Sequence, residues 1–260
     1  MVRIEEIINF LEAKFPPSLA YEWDNIGLQI GDASCEIKKI MITLDATTPV
    51  INEAVAKGVD LIITHHPFIF SRLKSIDLTS PQGKNIQKLI KNDIAIYTLH
   101  TNYDVAFGGM NDVLAEKMDL RDVKTFAMID EVHGLGRVGE LAEDMSLTEL
   151  SDKIKHEWLQ EEVYEIKTVD CGNGSRIKKI AVIAGSGSKY IHEAKEMGAD
   201  AFVTGDVTYH KAVDAVELGL SLVDIGHFAE VIMVEHVTGL LDGEINVEIV
   251  RQTVAKNPIR

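Results

Sequence analysis

The sequence predicts an α/β fold built from two similar lobes, and an internal repeat is the main reason. Residues 38–66 align without a gap to residues 178–206, at a constant offset of 140. In each copy an apolar run, a helix-like segment and a second apolar run follow one another, the order expected of parallel strands joined by a helix. We interpret the repeat as a duplication, with a first lobe at 1–125 and a second at 126–260 in one compact body without an inserted domain.

The first copy contains recognisable start and stop signals. Ile40–Leu44 is rich in strand-forming residues. A helix is predicted from Thr48 to Lys57, with Thr47 or Thr48 as its cap and Gly58 as its end. Leu61–Thr64 has the composition of a buried parallel strand. A further helix near 84–91 and a strand at 94–99 complete a βαβαβ unit.

The second copy has the same order of elements. A strand at 180–183 precedes a helix that runs to Met197 and is closed by Gly198, and a second strand follows at 201–204. A helix over 209–218 and a strand over 221–225 again complete βαβαβ. Between the copies, the segment 137–167 is predicted to form a bridging element with a helix at 147–158 and a strand at 163–167.

Composition excludes several classes of function. The chain carries 26 Lys and Arg against 41 Asp and Glu, a net charge of −15, which disfavours binding to phosphate backbones. No apolar run approaches the ~18 residues of a membrane span. The first residues are acidic where a signal peptide is basic. Two cysteines cannot form a disulfide framework. We expect a cytoplasmic protein that binds neither membranes nor nucleic acid.

Histidines and carboxylates follow four strands of the predicted sheets. Ligands of parallel sheets gather at the carboxyl ends of strands, so these side chains indicate a site in the cleft between the lobes. Imidazole and carboxylate are ligands of Zn, Mn, Fe or Co, and neighbouring histidines on one strand suit two ions better than one. The motifs are Thr64-His65-His66-Pro67, His100-Thr101-Asn102-Tyr103-Asp104, Thr204-Gly205-Asp206 and Gly226-His227-Phe228-Ala229-Glu230.

Two other segments have less distinctive patterns. Gly185-Ser186-Gly187-Ser188 is either a phosphate-binding turn or an ordinary tight connection between strand and helix, and it lacks the rest of a P-loop or a dinucleotide fingerprint. The segment from Glu22 to Gly31 is a polar and aromatic loop that leads into a strand. Considered without other information, its Trp23 is a core residue and its Asp24 a turn residue.

Together these motifs resemble the GTP cyclohydrolase 1 type 2 homologue family, also called the Nif-three-like family. The resemblance extends in order over nearly the whole chain and includes Trp-Asp-Asn-x-Gly-Leu-Gln-x-Gly at 23–31. It implies a two-lobed α/β fold, a dinuclear metal centre and a ring-shaped homohexamer with the metals facing an inner cavity. It also implies, residue by residue, the metal ligands His65, His66, Asp104, His227 and Glu230, with His100 bound to the metals or next to their ligands. Glu230 follows His227 by three residues, whereas some relatives place the acid four residues later.

The preferred hypothesis is a dinuclear metal-dependent hydrolase of the cyclohydrolase or amidohydrolase type. Two divalent ions per chain (Zn, Fe, Mn or Co) would activate water, and Asp206 or His100 would transfer a proton. The substrate would be a small molecule, with a nucleotide such as GTP suggested only by the family name. Two alternatives stay open: a metal-handling protein without catalysis, and a regulatory ring-shaped scaffold.

Overall fold

A computed structural model describes residues 2–159, 166–172, 174 and 176–259. The chain separates into two compact units. The first unit combines Met1–Tyr103 with Met233–Lys256, and the second combines Asp104–Ile232 with Asn257–Arg260. These bounds differ from the halves 1–125 and 126–260, which stay a prediction about the sequence repeat.

The elements are numbered along the whole chain. The strands are β1 (Val2–Arg3), β2 (Gly27–Ile30), β3 (Glu36–Ile37), β4 (Lys39–Thr43), β5 (Leu61–Thr64), β6 (Ala95–Thr98), β7 (Arg121–Met128), β8 (Gly134–Met145), β9 (Lys167–Val169), β10 (Ile177–Val182), β11 (Ala201–Thr204), β12 (Ser221–Asp224) and β13 (Glu248–Ile249). The α-helices are α1 (Ile4–Lys14), α2 (Thr48–Lys57), α3 (Pro81–Lys91), α4 (Thr101–Val105), α5 (Met110–Lys117), α6 (Leu147–Lys153), α7 (Ile191–Glu196), α8 (Tyr209–Glu217) and α9 (Ile232–Leu241). Short 3-10 turns lie at 17–19, 188–190 and 227–231, and a π-helical turn at 154–158.

The first unit contains a five-stranded sheet in the order β13-β4-β5-β6-β2. Strands β4, β5 and β6 are parallel, and β2 is antiparallel to β6. Every residue of β5 and β6 is buried, as expected for central parallel strands. Helices α2 and α3 cover one face, where buried Val50 and Ile51 pack with Met41, Ile62 and other apolar side chains. The carboxyl ends of β4, β5 and β6 therefore lie side by side at one edge of the sheet.

The second unit contains a six-stranded sheet in the order β7-β8-β10-β11-β12-β9. Strands β10, β11 and β12 are parallel. Strand β8 pairs antiparallel with β10, β9 pairs antiparallel with β12, and β7 pairs antiparallel with β8. The β7–β8 hairpin is not among the elements that the sequence pattern predicts. In β8, Arg137 is buried, and its guanidinium donates to the carboxylate of Asp112 and to the carbonyls of Gly134 and Gly136.

The sheets of the two units share one hydrogen-bonding pattern, at residues that are 140 positions apart in the chain. Oδ2 of Asp60 accepts hydrogen bonds from the backbone N–H groups of Lys38 and Lys39. Oδ2 of Asp200 accepts the same two bonds from Lys178 and Lys179. In each case the aspartate before one strand fixes the start of the neighbouring strand, so the repeated Asp has a structural role in both copies.

Most of the predicted elements are confirmed. The helix over 48–57 and the strands over 61–64 and 201–204 have the predicted bounds, and Gly58 ends its helix in the left-handed conformation. The predicted strand at 163–167 falls largely outside the described residues, and β9 begins at Lys167. No helix in the described ranges is both long enough and apolar enough for a membrane crossing.

Candidate metal centre

Three histidines of the first unit lie together at the carboxyl ends of neighbouring strands. His65 and His66 follow β5, and His100 follows β6. One ring nitrogen from each can be chosen such that the three atoms lie within 4.8 Å of one another. The ring centroid of His65 is 5.0 Å from that of His66 and 5.2 Å from that of His100. His65 is fully buried, and the other two are partly exposed, so the cluster opens on one side.

A hydrogen bond at Nδ1 sets the orientation of each of these rings. Nδ1 of His65 lies 2.9 Å from the carbonyl oxygen of Leu99, which can only accept, so this nitrogen carries the proton. Nδ1 of His66 and of His100 lies 2.8 Å from a carboxylate oxygen, of Asp45 and Asp24 respectively. In the neutral rings the lone pair is therefore on Nε2. Metal-binding histidines have this arrangement, with a carbonyl or carboxylate on the other nitrogen.

The sequence pattern around Asp24 does not reveal the contacts that this residue makes. Its side chain is fully buried, and Oδ1 accepts from His100 while Oδ2 accepts from the backbone N–H and the hydroxyl of Thr101. Burial acts to raise the pKa of Asp24, but the hydrogen bonds from His100 and Thr101 outweigh it and hold the pKa below its ordinary value. The interpretation of Trp23 as a core residue is wrong, because 59% of this residue is exposed. The loop turns the aspartate inward and the tryptophan outward.

In the second unit, His227 lies between two carboxylates. Its Nδ1 is 2.6 Å from Oδ2 of Asp206, and its Nε2 is 3.2 Å from Oε2 of Glu230. The carboxylate of Glu230 is nearly buried, with 5% of the side chain exposed. Asp206 has a positive φ of 54°, which is uncommon for a residue other than glycine and marks a constrained backbone. The spacing of three residues on a 3-10 turn does bring Glu230 to the ring of His227.

The glycine-rich turn at 185–188 lies directly against the carboxylate of Glu230. A Cβ atom on Gly185 would lie 2.2 Å from Oε1 of Glu230, so only glycine permits this approach. Gly185 also has a φ of +61°. Its carbonyl accepts hydrogen bonds from the hydroxyl of Thr204 and from the backbone N–H of Gly205. Of the two interpretations left open by the sequence, these contacts favour the tight connection.

Asp104 is the remaining predicted ligand of the second unit. It lies in α4, and only 9% of it is exposed. The side chain of buried Asn111 donates to the backbone carbonyl of Asp104 and accepts from the backbone N–H of Ala184. Asn111 therefore connects the backbone of Asp104 to the residue preceding Gly185. The Met-Asn-Asp pattern at 110–112 contains no local signal for this connection, because Asn111 and Ala184 are 73 positions apart in the chain.

The donor set fits a divalent metal ion. It consists of imidazole nitrogens whose second nitrogen is already bonded and of a nearly buried carboxylate, a combination used by Zn, Mn, Fe and Co. Cys35 is exposed, and Cys171 is hydrogen-bonded to Ser221. The residues therefore include histidine and glutamate groups that could bind a metal. Which of them act as ligands, and the roles of His100 and Asp206, stay predictions.

Comparison with known proteins identifies the family of this chain. The profile of the family described as Duf34/NIF3 (NGG1p interacting factor 3) matches residues 2–258. A Clostridium perfringens protein named GTP cyclohydrolase 1 type 2 homolog is 39% identical, over 87% of this chain and 86% of its own length. The crystal structure of a Bacillus cereus protein related to NIF3 superposes with a TM-score of 0.88 at 30% identity, covering 100% of this chain and 99% of that one. Reduced HcgD from Methanocaldococcus jannaschii superposes with a TM-score of 0.82 at 33% identity, covering 96% and 97% of the two chains. The chain belongs to the Duf34/NIF3 family.

Proposed function

We propose that this protein is a dinuclear metal-dependent hydrolase of the cyclohydrolase or amidohydrolase type. The proposed ligands are His65, His66, Asp104, His227 and Glu230. The observation that carries the proposal is the contact at Nδ1 of each histidine, which leaves Nε2 for a metal ion. A protein that only exposes histidines at its surface has no need to fix their rings through Leu99, Asp45 or Asp206.

The chemistry of such a site is hydrolytic. Two ions held by these residues would polarise a substrate carbonyl or imine-like bond and would lower the pKa of water to near neutrality. The protein supplies the remaining proton transfers. His100, polarised by the buried carboxylate of Asp24, is the proposed general acid or base. Asp206 is the second candidate, and its bond to His227 also orients that ring.

The substrate and the assembly belong to the proposal as well. The name shared by curated relatives suggests a nucleotide or another cyclic amide as substrate. We propose a small-molecule substrate and a homohexameric ring in the cytoplasm, with zinc, iron, manganese or cobalt as the metal. The net charge of −15 argues against nucleic acid as a partner.

Metal counting and turnover test the proposal together. The full chain is purified without added metal, and the metals are counted per chain by mass spectrometry. Hydrolysis is then assayed with GTP and with simple cyclic amides. We expect about two ions per chain and turnover of at least one of these compounds. The double variant His65→Ala, Asp104→Ala should lose both metal and turnover.

A matched control is His192→Ala, which removes an exposed histidine of α7. It should keep metal and turnover. Two ions without turnover on any tested compound would refute the hydrolase and favour a metal-handling protein. Absence of metal from the wild type, even after loading with each candidate ion, would refute the metal centre itself.

A further inference from the structure

Three aromatic side chains of the first unit form a partly exposed surface beside the histidine cluster. We call Tyr21, Trp23 and Phe70 the aromatic wall. The rings of Tyr21 and Trp23 are stacked, with centroids 5.7 Å apart and planes inclined by 10°. The centroid of Phe70 is 6.0 Å from that of Trp23. Trp23 is 59% exposed and Phe70 is 58% exposed, a large apolar area to leave in contact with water.

The wall is continuous with the histidines. Trp23 and His100 form a T-shaped contact, with centroids 6.1 Å apart. His100 in turn lies 5.2 Å from His65 and 5.8 Å from His66, measured between ring centroids. A molecule lying against Trp23 would therefore be next to the three histidines.

Hydrogen bonds hold Trp23 in this position. The residue after it is the buried Asp24, which is bonded to His100 and Thr101. The residues before it are also fixed, because the backbone N–H of Tyr21 donates to the hydroxyl of Thr101 and the N–H of Asp24 donates to the carbonyl of Tyr21. An exposed tryptophan on a backbone fixed at both sides loses little conformational entropy when a ligand binds.

The segment that carries Phe70 is tied to the same loop. The side-chain amide of Asn25 donates to the carbonyl of Ile69. The amide oxygen of Gln29 accepts from the backbone N–H of Ile69 at 2.8 Å, while its nitrogen donates to the carbonyl of Asn25. The backbone segments that carry Phe70 and Trp23 are thus joined by hydrogen bonds.

We propose that the aromatic wall binds the planar heteroaromatic ring of the substrate, with Trp23 as the main stacking residue. The inference rests on the proposed function, because it names the substrate class of that same site. Stacking on indole suits flat π-systems, which include purines and related fused rings, and it is tolerant of their exact substituents. A saturated cyclic amide has carbonyl groups that metal ions would polarise but has no aromatic face for Trp23.

Fluorescence and calorimetry test the proposal. The chain has two tryptophans, so Trp158→Phe leaves Trp23 as the only indole. That variant is titrated with guanosine, with GTP, which adds phosphates to the same ring, and with dihydrouracil as the saturated amide. We expect saturable quenching by guanosine and GTP and none by dihydrouracil. Calorimetry then measures guanosine affinity in variants that keep Trp158. The affinity should fall about tenfold or more in Trp23→Leu and should be largely restored in Trp23→Phe.

Metal content and particle size are measured on the same samples. Trp23→Leu should keep the metal count and the size of the wild type, so that a loss of ring binding is assigned to the wall. Equal guanosine affinity in wild type and Trp23→Leu would overturn the proposal, as would no ring binding by the wild type. A change of size without a change of ring binding would also overturn it and show that the wall contacts another copy. Failure to bind metal would contradict the proposed function separately, since ring binding is measured whether or not metal is present.

Discussion

The buried carboxylate of Asp24 lies 2.8 Å from Nδ1 of His100, although 76 positions separate the two residues in the chain. This contact fixes the ring of the histidine and brings the N-terminal loop to the end of β6. The carboxylate of Asp24 accepts three hydrogen bonds, one from His100 and two from Thr101. The first prediction follows from this contact.

Asp24→Asn should lower turnover without unfolding the protein. The amide has almost the same shape but lacks the charge that polarises His100, the proposed proton-transfer group. Loss of a partner of this kind costs about 10–100-fold in activity. The measurement is the turnover rate, with the metal count per chain determined on the same sample. Glu22→Gln, two residues away and exposed, is the control and should match the wild type.

Unchanged turnover in Asp24→Asn would contradict a functional role for the Asp24–His100 pair. Circular dichroism and the unfolding temperature of the same sample show whether any loss comes from the site or from the fold.

Gly185→Ala should displace Glu230. The new methyl group would lie 2.2 Å from Oε1 of Glu230, and the φ of +61° adds a strain of about 1–2 kcal/mol for a residue with a side chain. We expect the variant to lose metal from the site that includes Glu230. The measurement is metal stoichiometry after dialysis against a weak chelator.

Gly58→Ala is the control that separates backbone strain from the contact with Glu230, the two effects expected of Gly185→Ala. Gly58 has a φ of +64°, but nothing lies within 4 Å of the added Cβ. It should lose similar stability and keep all of its metal. If both variants keep or lose metal equally, the close approach of Gly185 to Glu230 has no role in binding.

Asp60→Ala and Asp200→Ala should destabilise their units by similar amounts. Each removes a carboxylate oxygen that accepts two backbone hydrogen bonds at the start of a strand. The expected loss is about 2 kcal/mol for each, measured by urea unfolding. Asn variants keep an acceptor oxygen at each position and should lose less. A large loss at one position and none at the other would argue against equivalent roles.

The stability of the first unit should depend on Glu53 at acidic pH. Burial acts to raise the pKa of Glu53, but hydrogen bonds from Lys57 and Thr253 lower it to about 2. Its ionised form is therefore favoured by folding. That contribution is present above the ordinary value of 4.5 and is lost as the pH falls through about 2.

Thermal unfolding of wild type and Glu53→Gln at a series of pH values checks this. The variant should unfold at a lower temperature at pH 6, and the difference should shrink between pH 4.5 and pH 2. Glu244→Gln, at an exposed position, is the control. A difference that stays constant down to pH 2 would contradict the assigned ionisation.

The amino-acid sequence alone predicts the α/β class, most of the element bounds and the positions of the histidines at strand ends. These features depend on local information: apolar runs of strand length, a helix closed by Gly58, and motifs placed directly after β5 and β6. The chemistry of imidazole and carboxylate then indicates a metal without any knowledge of distant contacts.

The residues that contact His100, Glu230 and Asp104 can be identified only from the tertiary structure. Asp24 had the pattern of a turn residue, and only the packing of its loop against β6 and α4 buried it beside His100 and left Trp23 exposed. Gly185 and Asn111 likewise acquired their roles from the close approach of Glu230 and Asp104 to neighbouring backbone. Such contacts join residues far apart in the chain, and a local pattern has no means of specifying a partner across that distance.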